Sequence, residues 1–554
     1  MENTKATQLK QAGKWLEEAK NQEKLNDYTQ AIGLYEKSGL IFWDLKDWKA
    51  YINCLTRKAF CQTDNGELEE SFHSLEYGLA IAQKYCKKED TVFASLYFSF
   101  GFYHRFKGNY DKAIDFFQQA LAFYSEKNRD ETPLDVGKYY NQLGICFKKK
   151  GKLKESIAYH QQALHYWQLF IEDEMALSNS AVSYNNLGTC FENQGDYGLA
   201  IQHYEKALKI WRQVFGERHA KVALVYNNMG VCYCNMGNLK KALKLHEKAL
   251  QIRLTLFNTK HISTTTSFAN LGVTYRQMGD YQKAIHYYQK GIRIGIGIFG
   301  KKHYKIAILY NNLGNCYQDS HQYENALNFY NQSLDLKQSI LGQKHFKNVS
   351  TLINLGDCYH KMQNYQAAVT FHKRALLICQ LSFEDIHPFT LTSFFYLGKD
   401  YFALDNFEES QKYHKKALSG RLFLLGKNHP DTALSYLELS KVNQANKQAF
   451  QALDLLKQSL SCLFLSEEDR KIEDCISPIL LIDILTEKTN IHFSIYEKIK
   501  QETISASHLQ YALICHTYIK KIVDYFSKKY QTENSKLLLA EKVITTFEKS
   551  IDRA

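Results

Sequence analysis

The sequence predicts an all-α, helical-repeat solenoid, and three observations carry the prediction. The first is a ruler. Gly101, Gly144, Gly188, Gly230, Gly272, Gly314, Gly356 and Gly398 follow one another at spacings of 43, 44, 42, 42, 42, 42 and 42 residues, and Ser440 stands a further 42 on. A fixed period of this length marks stacked supersecondary units, not one globular core. The second is proline poverty: 4 prolines in 554 residues, where each would cost about 3 kcal/mol in a helix interior. The third is periodicity within a unit. Tyr197, Ala200, Tyr204, Ala207, Trp211 and Phe215 recur at helical spacing and make one apolar stripe.

Each unit reads as two helices. In the unit around Gly188, helix A is predicted over 181–194, a turn follows at Gly195-Asp196, and helix B is predicted over 197–215. The small residues Gly188, Ala200 and Ala207 mark close helix approach, where a larger side chain would overpack the contact by about 1–3 kcal/mol. Two looser units precede the regular ones, with Ala19 and Ala59 in the glycine position, giving about eleven. The expected organisation is degenerate N-terminal repeats over 1–95, a regular array over 96–461 and a C-terminal helical extension over 462–554.

A second ruler runs beside the first. Phe215-Gly-Glu-Arg-His219 is followed by His261, His303, His345, His387 and His429, each 42 residues after the last. Small residues at the eighth, twentieth and twenty-seventh places of each unit, with aromatics between them, resemble the tetratricopeptide repeat. The long period and the Phe/Leu-Gly-x-x-His motif ahead of Tyr-Asn-Asn-Leu-Gly resemble the variant found in kinesin light chains and in many bacterial repeat proteins. The resemblance covers residues 96–461 closely and 12–95 loosely. It implies a right-handed superhelix that binds proteins or peptides in a concave groove, and implies little about activity.

Composition narrows the function classes. Aromatic content of 14% argues against disorder. The net charge of +12 sits on lysines scattered among acids, as in Glu205-Lys206 and Glu247-Lys248, so a solvated helix face is expected and a nucleic-acid footprint is not. The N-terminus shows no apolar h-region, and no stretch approaches the roughly 18 apolar residues of a membrane span. A soluble, cytoplasmic protein is expected, without membrane association.

No catalytic, metal or cofactor site is expected. The loop histidines stand one per unit, each just ahead of a new helix A, too far apart to share one ion; they read as loop or cap residues. His160, His246, His372 and His414 fall where other units place Tyr204, Tyr288 or Tyr330, and read as ring-for-ring packing substitutes. Cys146, Cys190, Cys232, Cys316 and Cys358 share one place, two residues after the glycine, and read as small buried hydrophobes.

The candidate binding residues form a ladder. Asn186, Asn228, Asn270, Asn312 and Asn354 stand two residues before the glycine in five consecutive units. The resemblance places this side of helix A on the concave groove. A carboxamide there donates to a peptide carbonyl and accepts from a peptide N–H, so a row of them grips an extended segment by its backbone. Asn315 and Arg276, with Asp319, Asp357 and Lys361, fall near the same face and would tune charge preference. The alternative is that the asparagines bond across adjacent A helices and only hold the superhelix. The family's dicarboxylate clamp does not carry over, because Val182, Leu224 and Ile308 stand where it wants basic residues.

After residue 461 the ruler stops but helical patterning continues over 476–485, 495–499, 509–530 and 536–551. The simplest reading is a cap on the open end of the array. Tyr511-Ala-Leu-Ile-Cys-His-Thr-Tyr518, Ile522-Val-Asp524, the run from Tyr530 to Lys542 and Phe547-Glu-Lys549 also resemble the segment preceding the CHAT domain, a caspase-like peptidase, in bacterial repeat proteins. That resemblance implies a regulatory or sensor role beside such a peptidase, whose His/Cys pair is not found in this sequence. The function expected is therefore a non-catalytic interaction scaffold, with the regulatory part of a caspase-like peptidase system as the alternative.

Overall fold

The turn between the helices of a unit shows how the sequence writes the fold. In the unit of Gly188 the chain leaves helix A through Gly195 at φ +80°. The Gly195 N–H then donates to the Glu192 carbonyl and the Asp196 N–H to the Phe191 carbonyl, closing the left-handed helix end. Asp196 at once caps the next helix, accepting from the Leu199 N–H at 2.9 Å. Asn238, Asp280, Asn364 and Asn406 do the same in later units. The left-handed place itself is Gly237 and Gly279, then His321, Gln363, Asp405 and Lys447, the last four at φ 57–63°.

In the computed structural model the described residues are 2–529, apart from 25–26, 124–132, 258–260, 384–385, 465–474, 476 and 499–501. The predicted helix over 536–551 lies outside them. The described residues hold helices and no strands. They run α1 (Glu2–Lys24), α2 (Tyr28–Asp44), α3 (Trp48–Asn65), α4 (Leu68–Tyr85), α5 (Val92–Phe106), α6 (Tyr110–Ala122), α7 (Pro133–Lys149), α8 (Leu153–Gln168) and α9 (Glu174–Asn193). There follow α10 (Tyr197–Phe215), α11 (Ala220–Asn235), α12 (Leu239–Phe257), α13 (Ile262–Gln277), α14 (Tyr281–Phe299), α15 (Tyr304–Asp319), α16 (Tyr323–Leu341), α17 (Val349–Lys361) and α18 (Tyr365–Ser382). The last are α19 (Pro388–Ala403), α20 (Phe407–Leu425), α21 (Pro430–Ala445), α22 (Ala449–Ser461), α23 (Pro478–Lys498) and α24 (Glu502–Lys529).

Odd-numbered helices are the A helices and even-numbered ones the B helices. Helix B of the Gly188 unit has the predicted bounds. Helix A begins seven residues earlier than predicted, because Asp173 caps it by accepting from the Ala176 N–H at 2.7 Å and Ala176, Ser178 and Ser180 are buried along its first turns.

By contacts the chain divides into residues 1–190 and 191–554. In the first unit, Ile52, Leu55, Leu75, Leu96 and Phe100 form a buried core among α3, α4 and α5. In the second, the stripe and the small residues interlock. A β-carbon on Gly230 would stand 2.5 Å from the His246 ring, on Gly272 2.5 Å from Tyr288, on Gly314 2.6 Å from Tyr330 and on Gly356 2.3 Å from His372. His246 and His372 thus take the packing place of tyrosine, as the sequence suggested. Beyond α22 the pairing continues: Leu437, Leu456, Leu481, Ile484, Ile519 and Ile522 make one core in which α23 and α24 cover the end of the array.

The loop histidines are helix caps. His219, His261, His303, His387 and His429 open α11, α13, α15, α19 and α21, each with Nδ1 accepting from the N–H two residues on, at 3.0–3.2 Å. His345 does so for the short 3-10 turn ahead of α17. Four of the rings also stack on the preceding phenylalanine, with centroids 4.1 Å apart for Phe215 and His219, 4.0 Å for Phe257 and His261, 4.2 Å for Phe299 and His303 and 3.6 Å for Phe383 and His387.

One place near the end of helix B is not uniform. It holds Trp211, Arg253, Gly295, Lys337, Cys379 and Arg421 in successive units. All are buried, and where the residue is polar the next helix A answers it. Arg253 donates to Ser267 Oγ at 2.7 Å, Lys337 to Thr351 Oγ1 at 2.6 Å and Arg421 to Ser435 Oγ at 2.8 Å, and Cys379 lies against Ser393. After Trp211 and Gly295 the answering place holds Val225 and Leu309.

Candidate partner-binding face

In the second unit each A helix from α11 to α21 touches the next A helix, whereas the B helices make their substantial contacts with the flanking A helices. Direct neighbours must lie on the shorter arc of a curved layer, so the A helices form the inner side. Four rungs of the ladder, Asn228, Asn270, Asn312 and Asn354, lie on them. Asn186, Asn228, Asn270, Asn312 and Asn354 are all half-buried, while Asn185, Asn227 and Asn311, one residue earlier, are buried. The second asparagine of Tyr-Asn-Asn-Leu-Gly therefore stands at the accessible edge, and the first beneath it.

The inner side is laced across units. Asn354 Nδ2 donates to Asn311 Oδ1 at 3.1 Å, so this rung bonds across adjacent A helices. Arg276 pairs with Asp319, and Gln318 donates to Asp357 Oδ2 at 2.8 Å, with Lys361 3.5 Å from the same carboxylate. Asn315 accepts from the Tyr330 hydroxyl at 2.7 Å. Burial, then the Asp319 carboxylate, governs Arg276, and the net effect is to hold its guanidinium above its ordinary value. Of the seven predicted residues, Arg276 and Asn354 are thus joined to residues of the neighbouring A helix, and Asn315 to Tyr330 of the B helix α16. In the first unit the carbonyl of Asn186 accepts from Thr189 Oγ1, and its side-chain Nδ2 is buried without a partner.

Sequence reasoning missed a second layer. Asp400 is fully buried between His360 and His372, with Nδ1 of each at 2.8 and 2.6 Å from its two carboxylate oxygens, and His372 Nε2 lies 3.2 Å from the Ile353 carbonyl. Both ring nitrogens of His372 thus lie within hydrogen-bond distance of an oxygen, which fixes the orientation of the ring. The signal lay in Asp400 itself, a carboxylate two residues after Gly398 where other units carry cysteine. Among the described residues no cluster of three or more His, Cys, Asp or Glu side chains is arranged to hold a metal ion, and no helix is long and apolar enough to cross a membrane.

The tetratricopeptide repeat family model matches residues 92–168, 179–253, 221–296, 270–339, 304–380, 348–422 and 390–463. No curated protein matches the chain in sequence. Among solved structures it is similar to BtubC (BKLC) from P. vanneervenii, at 21% identity over 41% of this chain and 91% of that one, with a TM-score of 0.35. It is similar to a putative kinesin light chain with nearly identical repeats from Podospora anserina, at 22% identity over 38% and 100%, TM-score 0.33. It is also similar to a Rap protein complexed with competence and sporulation factor, at 17% identity over 68% and 99%, TM-score 0.47. At these values the likenesses support no statement about what this chain binds. The family model, by contrast, spans most of the chain in overlapping matches that follow the glycine ruler: the chain belongs to the tetratricopeptide repeat family.

Proposed function

We propose that the protein is a non-catalytic interaction scaffold, with the regular array over 96–461 as its working part. On this reading it grips an extended protein segment by the backbone along its A-helix face. The observation that carries this is the row of half-buried carboxamides at a 42-residue interval on helices that touch one another. Asn228, Asn270 and Asn312 occupy three successive rungs, and a carboxamide carries both donor and acceptor groups. The test selects linear peptides from a random library against the wild-type protein and measures their affinity for Asn228→Ala/Asn270→Ala/Asn312→Ala together with its melting temperature. The expected result is affinity lower by about tenfold or more, a loss on the order of 1.4 kcal/mol, with melting little changed. Unchanged affinity beside a lowered melting point would assign the ladder to structure alone.

A second reading, a regulatory part of a caspase-like peptidase system, is favoured by one observation. Tyr511, Leu513, Ile514 and Tyr518, within the segment that resembles the CHAT-preceding region, are 48–56% exposed on α24, an apolar surface of the kind a docked domain covers. Reading the gene beyond codon 554 and beside it tests this: a region without a caspase-like domain removes the reading.

A further inference from the structure

Each helix crosses the layer once. Turns between A and B helices therefore lie along one edge of the second unit, and loops between successive pairs along the opposite edge. The turn at Gly195, between α9 and α10, nevertheless meets the loop at His429, which opens α21 six units later. A β-carbon on Gly195 would stand 2.9 Å from Cδ2 and 3.1 Å from Nε2 of His429. Beside it, burial first and then the Glu192 and Asp431 carboxylates hold the Tyr197 phenol above its ordinary value. Opposite edges touch only if the layer winds through a full revolution while rising by about one helix length, roughly 24 Å for sixteen residues.

From this contact we infer that the second unit closes on its own edge at Gly195 and His429. Its inner A-helix face is then reached along the superhelix axis by an extended segment, and not from the side by a folded domain. The inference rests on that face being the partner surface, and it narrows the partner to unfolded or fraying chain. Closure depends on glycine at 195 for space more than for backbone, since Gln363 holds the same left-handed place in a later unit. Gly195→Gln therefore keeps the turn and fills the gap that the His429 ring needs.

The test needs no partner, so its failure is separate from failure of the ladder. Asn312→Cys places a thiol on the inner side and Gln289→Cys one on an exposed B-helix place. Each is labelled with a small maleimide and with a maleimide attached to a folded carrier protein, and the native thiols are measured in the parent. The carrier-to-small rate ratio is expected to be lower at 312 than at 289 by about tenfold or more, and to recover in Gly195→Gln. Circular dichroism on each variant checks that it is folded, and Gly237→Gln, at the same repeat place, is expected to leave the ratio low. Equal ratios at 312 and 289 in the parent would overturn closure. A low ratio that persists in Gly195→Gln would show that this contact is not what closes the face.

Discussion

At the scale of single residues, Lys337 is a buried ammonium held by neutral partners. It is 2% exposed, its ammonium meets only the hydroxyls of Thr351 and Ser350, and burial, with Lys347 adding to it, pushes the amine down to about 8. Between about 8 and its ordinary 10.5 the unfolded chain holds a proton that the folded chain does not, so stability rises with pH across that window. The full span amounts to about 3 kcal/mol. Lys337→Met should raise the melting temperature at pH 7 and flatten that rise, with Thr351 keeping its contact to Ser333. A lowered melting point at pH 7 would show that the hydroxyls more than offset the burial. The residue scale is also where the sequence was least legible. The glycine and the ring that fills its place repeat at one interval and can be read off. That Lys337 is buried cannot, because a lysine in a B helix ordinarily lies in water, and only the facing Thr351 explains where its amine goes.

At the scale of elements, the evenly spaced loop histidines are helix caps, the role their spacing suggested. Nδ1 of each loop histidine accepts a backbone N–H, which requires a neutral ring. Burial lowers His219, His261, His303 and His429, and takes His345 down to about 4, with Lys347 contributing. The folded values lie below the unfolded 6.5, so the unfolded chain binds protons first as pH falls. The capping contribution is whole above about 6.5 and is lost on the way down through the folded values. Urea midpoints should therefore fall steeply between pH 6.5 and 4. His303→Ala should cost about 1 kcal/mol at pH 7 and much less at pH 4; an equal cost at both would refute the neutral-cap account. Element order and helix B boundaries were open to sequence reading because Asp, Asn and left-handed residues punctuate them. The start of α9 was not, since Asp173 caps it from a stretch without apolar periodicity.

At the scale of the whole molecule, repetition creates a hazard as well as a fold. Units of nearly one pattern can stack out of order, and the varying place near the end of helix B opposes this. Arg253, Lys337, Cys379 and Arg421 are met by Ser267, Thr351, Ser393 and Ser435, whereas Leu309 follows Gly295. The units are therefore not interchangeable parts: each carries an address for its successor. Excising the single unit of α13 and α14 would set the Arg253 guanidinium against Leu309 and remove its hydroxyl partner, leaving only a backbone carbonyl of the kind Ser263 now offers; losing a hydrogen bond to a buried charge costs about 1.5–3 kcal/mol. Excising two units, α13 to α16, would bring Thr351 to Arg253 and restore a hydroxyl partner. The shorter protein with two units removed should accordingly unfold at the higher urea concentration of the two. An array that looks endlessly extensible would thus admit deletions only where the addresses agree.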